Sequence, residues 1–149
     1  MRVIQIFSAL LTPVVVIVTT YIAVQQYRTN KLKIKLELFE KRYAVYDGVK
    51  KFILHAVRNG TLSDDAFSHL NATTQDAFFL FDDSADEYIQ LLREKGARLR
   101  HLWYELGNES LPIGDERNAL SAEDADLCKW FGEQLTASKR VFKEYLHVL

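Results

Sequence analysis

The hydrophobic pattern of the chain changes abruptly after residue 27. Residues 3–27 contain no charged side chain and are dominated by aliphatic ones. At ~1.5 Å rise per residue, a helix of this length can cross a hydrocarbon layer of ~30 Å. The segment therefore predicts a transmembrane helix, which Pro13 is expected to bend.

Two other interpretations of residues 3–27 fit less well. A cleaved signal peptide has an apolar region of only ~7–15 residues and a cleavage site between small residues, and this segment has neither feature. A buried helix of a soluble protein normally has a polar face, whereas only Gln5 and scattered Ser and Thr residues interrupt this one. We expect residues 1–27 to form a membrane anchor.

The next segment, residues 28–58, is basic and amphipathic. Residues 31–38 alternate between polar and apolar, as a strand does, but a longer window has helical spacing. The main apolar stripe is Leu32, Leu36, Phe39, Tyr43, Tyr46, Ile53 and Val57, and a second stripe is Ile34, Leu38, Val45, Val49 and Phe52. Since no turn residue precedes Asn59 and Gly60, we expect one helix that continues directly from the span.

Residues 59–149 have the pattern of a small acidic helical domain. Ser63, Ser84 and Ser121 each precede an amphipathic stretch, with an acid within three residues, as helix N-caps do. A break at residues 71–74 would divide the first of these helices. We predict an all-α fold, with an N-terminal transmembrane helix that continues into a small cytoplasmic bundle of about four helices. Residues 28–58 are expected to pack with 59–149.

Charge is distributed unevenly between these segments. Residues 28–58 contain nine Lys or Arg and three Asp or Glu, whereas residues 59–149 contain nine and seventeen. Basic residues next to a span stay on the cytoplasmic side, so we expect the N-terminus outside and the domain in the cytoplasm. The residues expected to contact anionic phospholipid headgroups are Arg28, Lys31, Lys33 and Lys35. A topology signal without a specific lipid ligand would carry the same charges.

No residue pattern indicates catalysis or a bound cofactor. Cys128 is the single cysteine, so no intramolecular disulfide or cysteine-based zinc site can form. The four histidines are far apart in the sequence, and acid clusters at residues 82–87 and 123–126 are explained by helix N-termini. We predict no enzyme activity, no metal and no cofactor. Nucleic acid is not an expected partner, because the basic block adjoins the membrane.

Two stretches of the chain carry a resemblance to other proteins. Residues 26–46 (QYRTNKLKIKLELFEKRYAVY) and residues 112–117 (PIGDER) resemble a group of small bacterial proteins. Those proteins have one N-terminal span, a juxtamembrane helix with the pattern KLxLxLFxxRYxVY and an acidic helical tail. The resemblance implies a single-pass protein of the bacterial inner (plasma) membrane and assigns no functional residue.

Aromatic residues are more numerous than a bundle of this size can readily bury. The candidates for an exposed interaction surface are Tyr43, Tyr46, Trp103 and Trp130. We expect a membrane-tethered interaction module that binds another protein or a second copy of itself. The alternative is a membrane-acting effector, such as a toxin or an anti-phage component, that perturbs the bilayer on assembly.

Overall fold

In a computed structural model, the backbone is described for residues 2–108 and 113–147, and the side chains for residues 13–108 and 113–147. The described residues form five helices. They are α1 (Arg2–Asn59), α2 (Asp64–Thr74), α3 (Ala77–Leu80), α4 (Asp83–Leu106) and α5 (Asp115–Lys143). The described part of the chain contains no strand, which confirms the predicted all-α class.

The chain divides into two compact units, Met1–Leu38 and Phe39–Leu149. This division falls inside the predicted basic segment, residues 28–58. The first unit is the N-terminal part of α1, and each of its described side chains is exposed. The predicted anchor, residues 1–27, lies partly outside the described side chains, which begin at Pro13. Within the described residues, no helix carries a stretch that is apolar enough to span a membrane.

The second unit is a helical bundle whose core takes residues from all five helices. From α1 the buried apolar residues are Val45, Val49, Phe52, Ile53 and Ala56. From the rest of the bundle they are Leu62, Leu70, Ala77, Ala85, Ile89, Leu92, Leu99, Leu102, Leu127, Phe131 and Phe142. Burying one large apolar side chain stabilises a fold by about 1.5–3 kcal/mol, so these contacts hold the helices together.

Within residues 39–58, the second apolar stripe is more deeply buried than the main one. In the main stripe, Ile53 is buried, but Tyr43 and Val57 are exposed. In the second stripe, Val45, Val49 and Phe52 are buried, whereas Ile34 and Leu38, in the first unit, are exposed. Both faces of the helix are apolar, so spacing alone does not decide which face its neighbours cover. The position of the other helices decides it.

Local capping explains where α2 and α4 begin. Ser63 is the N-cap of α2, as predicted, and its Oγ accepts a hydrogen bond from the backbone N–H of Ala66 at 3.2 Å. The N-cap of α4 is Asp82, whose Oδ1 accepts from the N–H of Ala85 and from the hydroxyl of Ser84. The prediction that Ser84 caps this helix is therefore wrong. The charged Asp82 side chain accepts both bonds at once, which favours it as the cap.

Two further boundaries differ from the predicted ones. The break after α2 lies at Gln75 and Asp76, just beyond residues 71–74. α5 begins at Asp115, well before Ser121. Asp115 and Glu116 in the first turn of α5 interact favourably with the helix dipole, so this start has its own local support.

Candidate functional site

Of the four aromatic residues that the sequence predicted as an interaction surface, the structure brings only Tyr43 and Tyr46 together, with 6.1 Å between their ring centroids. Tyr43 on α1 and Trp103 on α4 are exposed. Tyr46 and Trp130 are half-buried and pack against core phenylalanines. Within the described residues, no ring contact joins either tyrosine to either tryptophan. The four side chains therefore do not form one aromatic cluster.

A second aromatic surface, which the sequence analysis missed, lies on α3. Phe78 and Phe79 are 65% and 83% exposed, although the core of the bundle is fully formed. Their rings meet edge to face, with 5.5 Å between the centroids. The signal was present in the run Phe78, Phe79, Leu80, Phe81. Four apolar residues in one turn point around the whole helix, and a surface helix can bury only one side.

Aromatic packing holds α3 against the bundle on its inner side. Ala77 is fully buried at the start of the helix. Just after its end, Phe81 packs edge to face against Phe142 and Tyr145, with centroids 5.2 and 5.1 Å away. Because both ends of this single turn are attached to the core, its outward side chains are presented to solvent.

Arg42 of α1 donates hydrogen bonds to backbone carbonyls at the C-terminal ends of α3 and α5. Its Nε donates to the carbonyl oxygen of Leu80 at 3.0 Å, and its Nη1 donates to that of Tyr145 at 3.4 Å. The guanidinium carbon also lies 5.8 Å from the centre of the Tyr145 ring. Carbonyls at helix C-termini lack intrahelical donors, so one arginine satisfies acceptors at the ends of both α3 and α5.

Negative charge borders the Phe78 and Phe79 pair along the chain. The acidic residues on either side of it are Asp76, Asp82 and Asp83. A hydrogen bond from the Tyr145 hydroxyl, together with one from Ser84, holds the pKa of Asp82 below its usual value. Asp82 is therefore ionised at neutral pH. The two exposed aromatic rings are thus close in sequence to three exposed carboxylates.

The four residues predicted to contact lipid headgroups are exposed in the first unit. They are Arg28, Lys31, Lys33 and Lys35. Among the described residues, none of them takes part in an ion pair. Apolar side chains alternate with them, and Leu32 and Ile34 are 62% and 65% exposed. This segment therefore presents both positive charge and apolar surface.

A cavity of about 330 Å³ lies between α1 and α2 and contains a histidine. His55 lies there, with Nδ1 3.2 Å from the carbonyl oxygen of Thr61 and Nε2 3.4 Å from Ser63 Oγ. Ser63 Oγ also accepts the N-cap hydrogen bond of α2, so the contacts of His55 stabilise the turn that joins α1 to α2. Within the described residues, no three His, Cys, Asp or Glu side chains are placed to hold a metal ion.

No protein-family model matches the chain, and no curated protein or solved structure matches it either. Two surfaces of the described residues are candidates for a function: the exposed phenylalanines of α3 in the second unit and the basic, apolar segment of the first.

Proposed function

We propose that this protein is a membrane-tethered interaction module whose helical bundle binds a protein partner on the cytoplasmic face of the membrane. The uncharged residues 3–27 are its anchor, since their length suits a bilayer. Arg28, Lys31, Lys33 and Lys35 hold the following domain on the cytoplasmic side and contact anionic headgroups.

The observation that carries the binding role is the exposure of Phe78 and Phe79. Aromatic rings are enriched where proteins bind one another, because each buries a large area with few rotatable bonds. These two rings are exposed while neighbouring residues of the same turn are buried or half-buried. One side of this turn therefore packs against the bundle, and Phe78 and Phe79 lie on the side that does not.

The chemistry of the surface describes the partner. An apolar pocket wide enough for two phenylalanine rings would bury Phe78 and Phe79 at its centre. Basic residues around that pocket would face Asp76, Asp82 and Asp83, since complementary charge guides and orients association. We therefore expect a protein with an apolar pocket and a basic rim.

Photo-crosslinking in cells tests this proposal. The full chain carries p-benzoylphenylalanine at Phe79 in one variant and at Leu91 in a matched control. Leu91 is an exposed apolar residue on α4, away from the α3 turn in sequence. We expect a discrete adduct from position 79 that is absent from position 91, and its loss when Phe78 is also replaced, as Phe78→Ser.

Two outcomes would contradict the proposal. Equal adducts at both positions would indicate non-specific proximity. The absence of an adduct at position 79, in a chain that is expressed at the normal level and localised to the membrane, would show that the phenylalanine pair has no protein partner.

A further inference from the structure

The first unit is one helix with no covering element of its own. Its described side chains, residues 13–38, are all exposed. Beyond the uncharged segment, this includes Leu32, Ile34, Leu36 and Leu38, which a bilayer core would not cover. Helices gain most of their stability from packing an apolar face, so exposed apolar side chains on the part of this helix beyond the bilayer are unfavourable in water. A partner for this helix is therefore expected.

Residue spacing indicates which face the partner covers. Seven positions follow one another at steps of three and four, which is the 3.5-residue repeat of coiled coils: Val15, Val18, Ile22, Gln25, Thr29, Leu32 and Leu36. None of the seven is charged. The charged residues of the same unit, from Arg28 to Glu37, all lie off this stripe.

The first core position of the stripe resembles that of a parallel pair of helices. It holds Val15, Ile22, Thr29 and Leu36, three of which are β-branched, and the second core position holds Val18, Gln25 and Leu32. β-branched residues at the first core position with leucine at the second favour two parallel strands. Gln25 is at the second core position inside the uncharged segment. Its Nε2 donates to the Tyr21 hydroxyl at 3.1 Å within the single helix, and in a pair its amide would instead bond to its counterpart and set the register.

We propose that the helix of the first unit pairs in parallel and in register with the same helix of a second copy of this chain, along the stripe from Val15 to Leu36. The inference rests on the anchoring part of the proposed function, because two copies inserted the same way are necessarily parallel. The stripe is self-complementary, so a second copy meets it with the same residues.

Charged residues on either side of the stripe predict specific charge pairs between the two copies. In a parallel pair, a residue just before one repeat faces the residue five positions later in the other chain. Lys35 of one copy therefore faces Glu40 of the other, which is attractive. Arg28 likewise faces Lys33 of the other copy, which is repulsive and is screened by salt or by anionic headgroups. All four side chains are exposed and free to interact in this way.

Disulfide crosslinking of the full chain in native membranes tests the pairing. In a Cys128→Ser background, cysteine replaces Leu32 or Leu36 on the stripe, and Ile34 serves as the control off it. Leu32 and Ile34 are matched in size and in exposure, 62% and 65%. With a mild oxidant, we expect dimers to form at least roughly tenfold faster at positions 32 and 36 than at 34, because disulfides need closely spaced Cβ atoms.

A charge reversal adds a second measurement. Glu40→Lys in the Leu32→Cys chain should slow dimer formation, since it places like charges opposite each other, and adding Lys35→Glu should restore the rate. If Glu40→Lys slowed dimer formation only by disturbing the fold, adding Lys35→Glu would not restore the rate.

Three results would overturn the proposal. They are equal rates at positions 32 and 34, faster crosslinking at 34, and no dimer at any position in chains that remain in the membrane. None of them depends on an adduct at Phe79, so the pairing and the partner-binding role can fail separately. A chain that leaves the membrane on extraction would instead contradict the anchor.

Discussion

At the scale of single residues, two helical glycines differ in what surrounds them. A Cβ at Gly48 of α1 would lie 2.7 Å from Cβ of Thr73 on α2, whereas a Cβ at Gly132 of α5 would meet nothing within 4 Å. Alanine favours a helix over glycine by roughly 1 kcal/mol, so Gly132→Ala should stabilise the bundle by up to that amount. Gly48→Ala should destabilise it by about 1–3 kcal/mol, because α1 and α2 must separate. Urea unfolding of the solubilised chain, followed by circular dichroism, measures both.

The comparison of these two glycines carries its own control, since the chemical change is the same at both sites. A similar gain in stability from each substitution would show that α1 and α2 have room for a methyl group at Gly48, and that their close approach does not determine stability.

An ion pair between α4 and α5 should make stability depend on pH. Arg98 donates from Nε and Nη2 to the two carboxylate oxygens of Glu123 at 2.7 and 2.6 Å. These hydrogen bonds hold the pKa of Glu123 below its usual value. A carboxyl group whose pKa is lowered by folding stabilises the fold above its unfolded-state pKa, and this contribution is lost as pH falls through the folded-state value.

We therefore expect Glu123→Gln to lower the Tm slightly at neutral pH, since the pair is largely exposed. The difference from the unaltered chain should disappear in acid, below the lowered pKa of Glu123. Melting curves of both chains, measured from neutral pH down to below the lowered pKa of Glu123, test this expectation. A difference that persists at the acid end would assign the effect to packing of the side chain.

At the scale of elements, Arg42 connects three helices through backbone carbonyls. Lysine keeps the charge but lacks the two separated N–H groups that reach Leu80 and Tyr145 together. Arg42→Lys should therefore cost about 1–3 kcal/mol of stability. Hydrogen exchange at the amides of α3 and at the C-terminal end of α5 should rise first. Lys41→Gln, at the exposed neighbouring position, is the control and should change neither quantity.

Unchanged exchange at α3 in the Arg42→Lys chain would show that aromatic packing alone holds this turn. In that case the presentation of Phe78 and Phe79 would depend on Phe81 and its ring contacts instead.

Helix boundaries were predictable where one local signal acted alone. Ser63 is followed by acids and preceded by a glycine turn, and it caps α2 as predicted. At the start of α4, Asp82 and Ser84 are both residue types that cap helices, and the structure has Asp82 as the N-cap. Near α5, the capping spacing of Ser121 and Asp124 falls inside the helix, because such pairs also occur on helix surfaces.

At the scale of the whole molecule, the proposed anchor can be tested by removing it. The full chain should stay in the membrane after carbonate extraction, and a chain lacking residues 3–27 should move to the soluble fraction. Replacing residues 3–27 with an unrelated span is the control and should restore membrane association. Protease should digest the bundle in inside-out vesicles but not in intact cells, because the basic segment holds it inside. Release of the full chain by carbonate would contradict the anchor.

The sequence by itself determined the helical class, the apolar stripes of α1 and the contrast between a basic segment and an acidic domain. These are local properties, since periodicity, capping and charge are all defined by neighbouring residues. Only the tertiary structure decided that Val45, Val49 and Phe52 face the core while Tyr43 does not, and that Phe78 and Phe79 remain outside. Burial depends on which helix reaches a given face, and where two faces are both apolar, spacing along the chain is compatible with either.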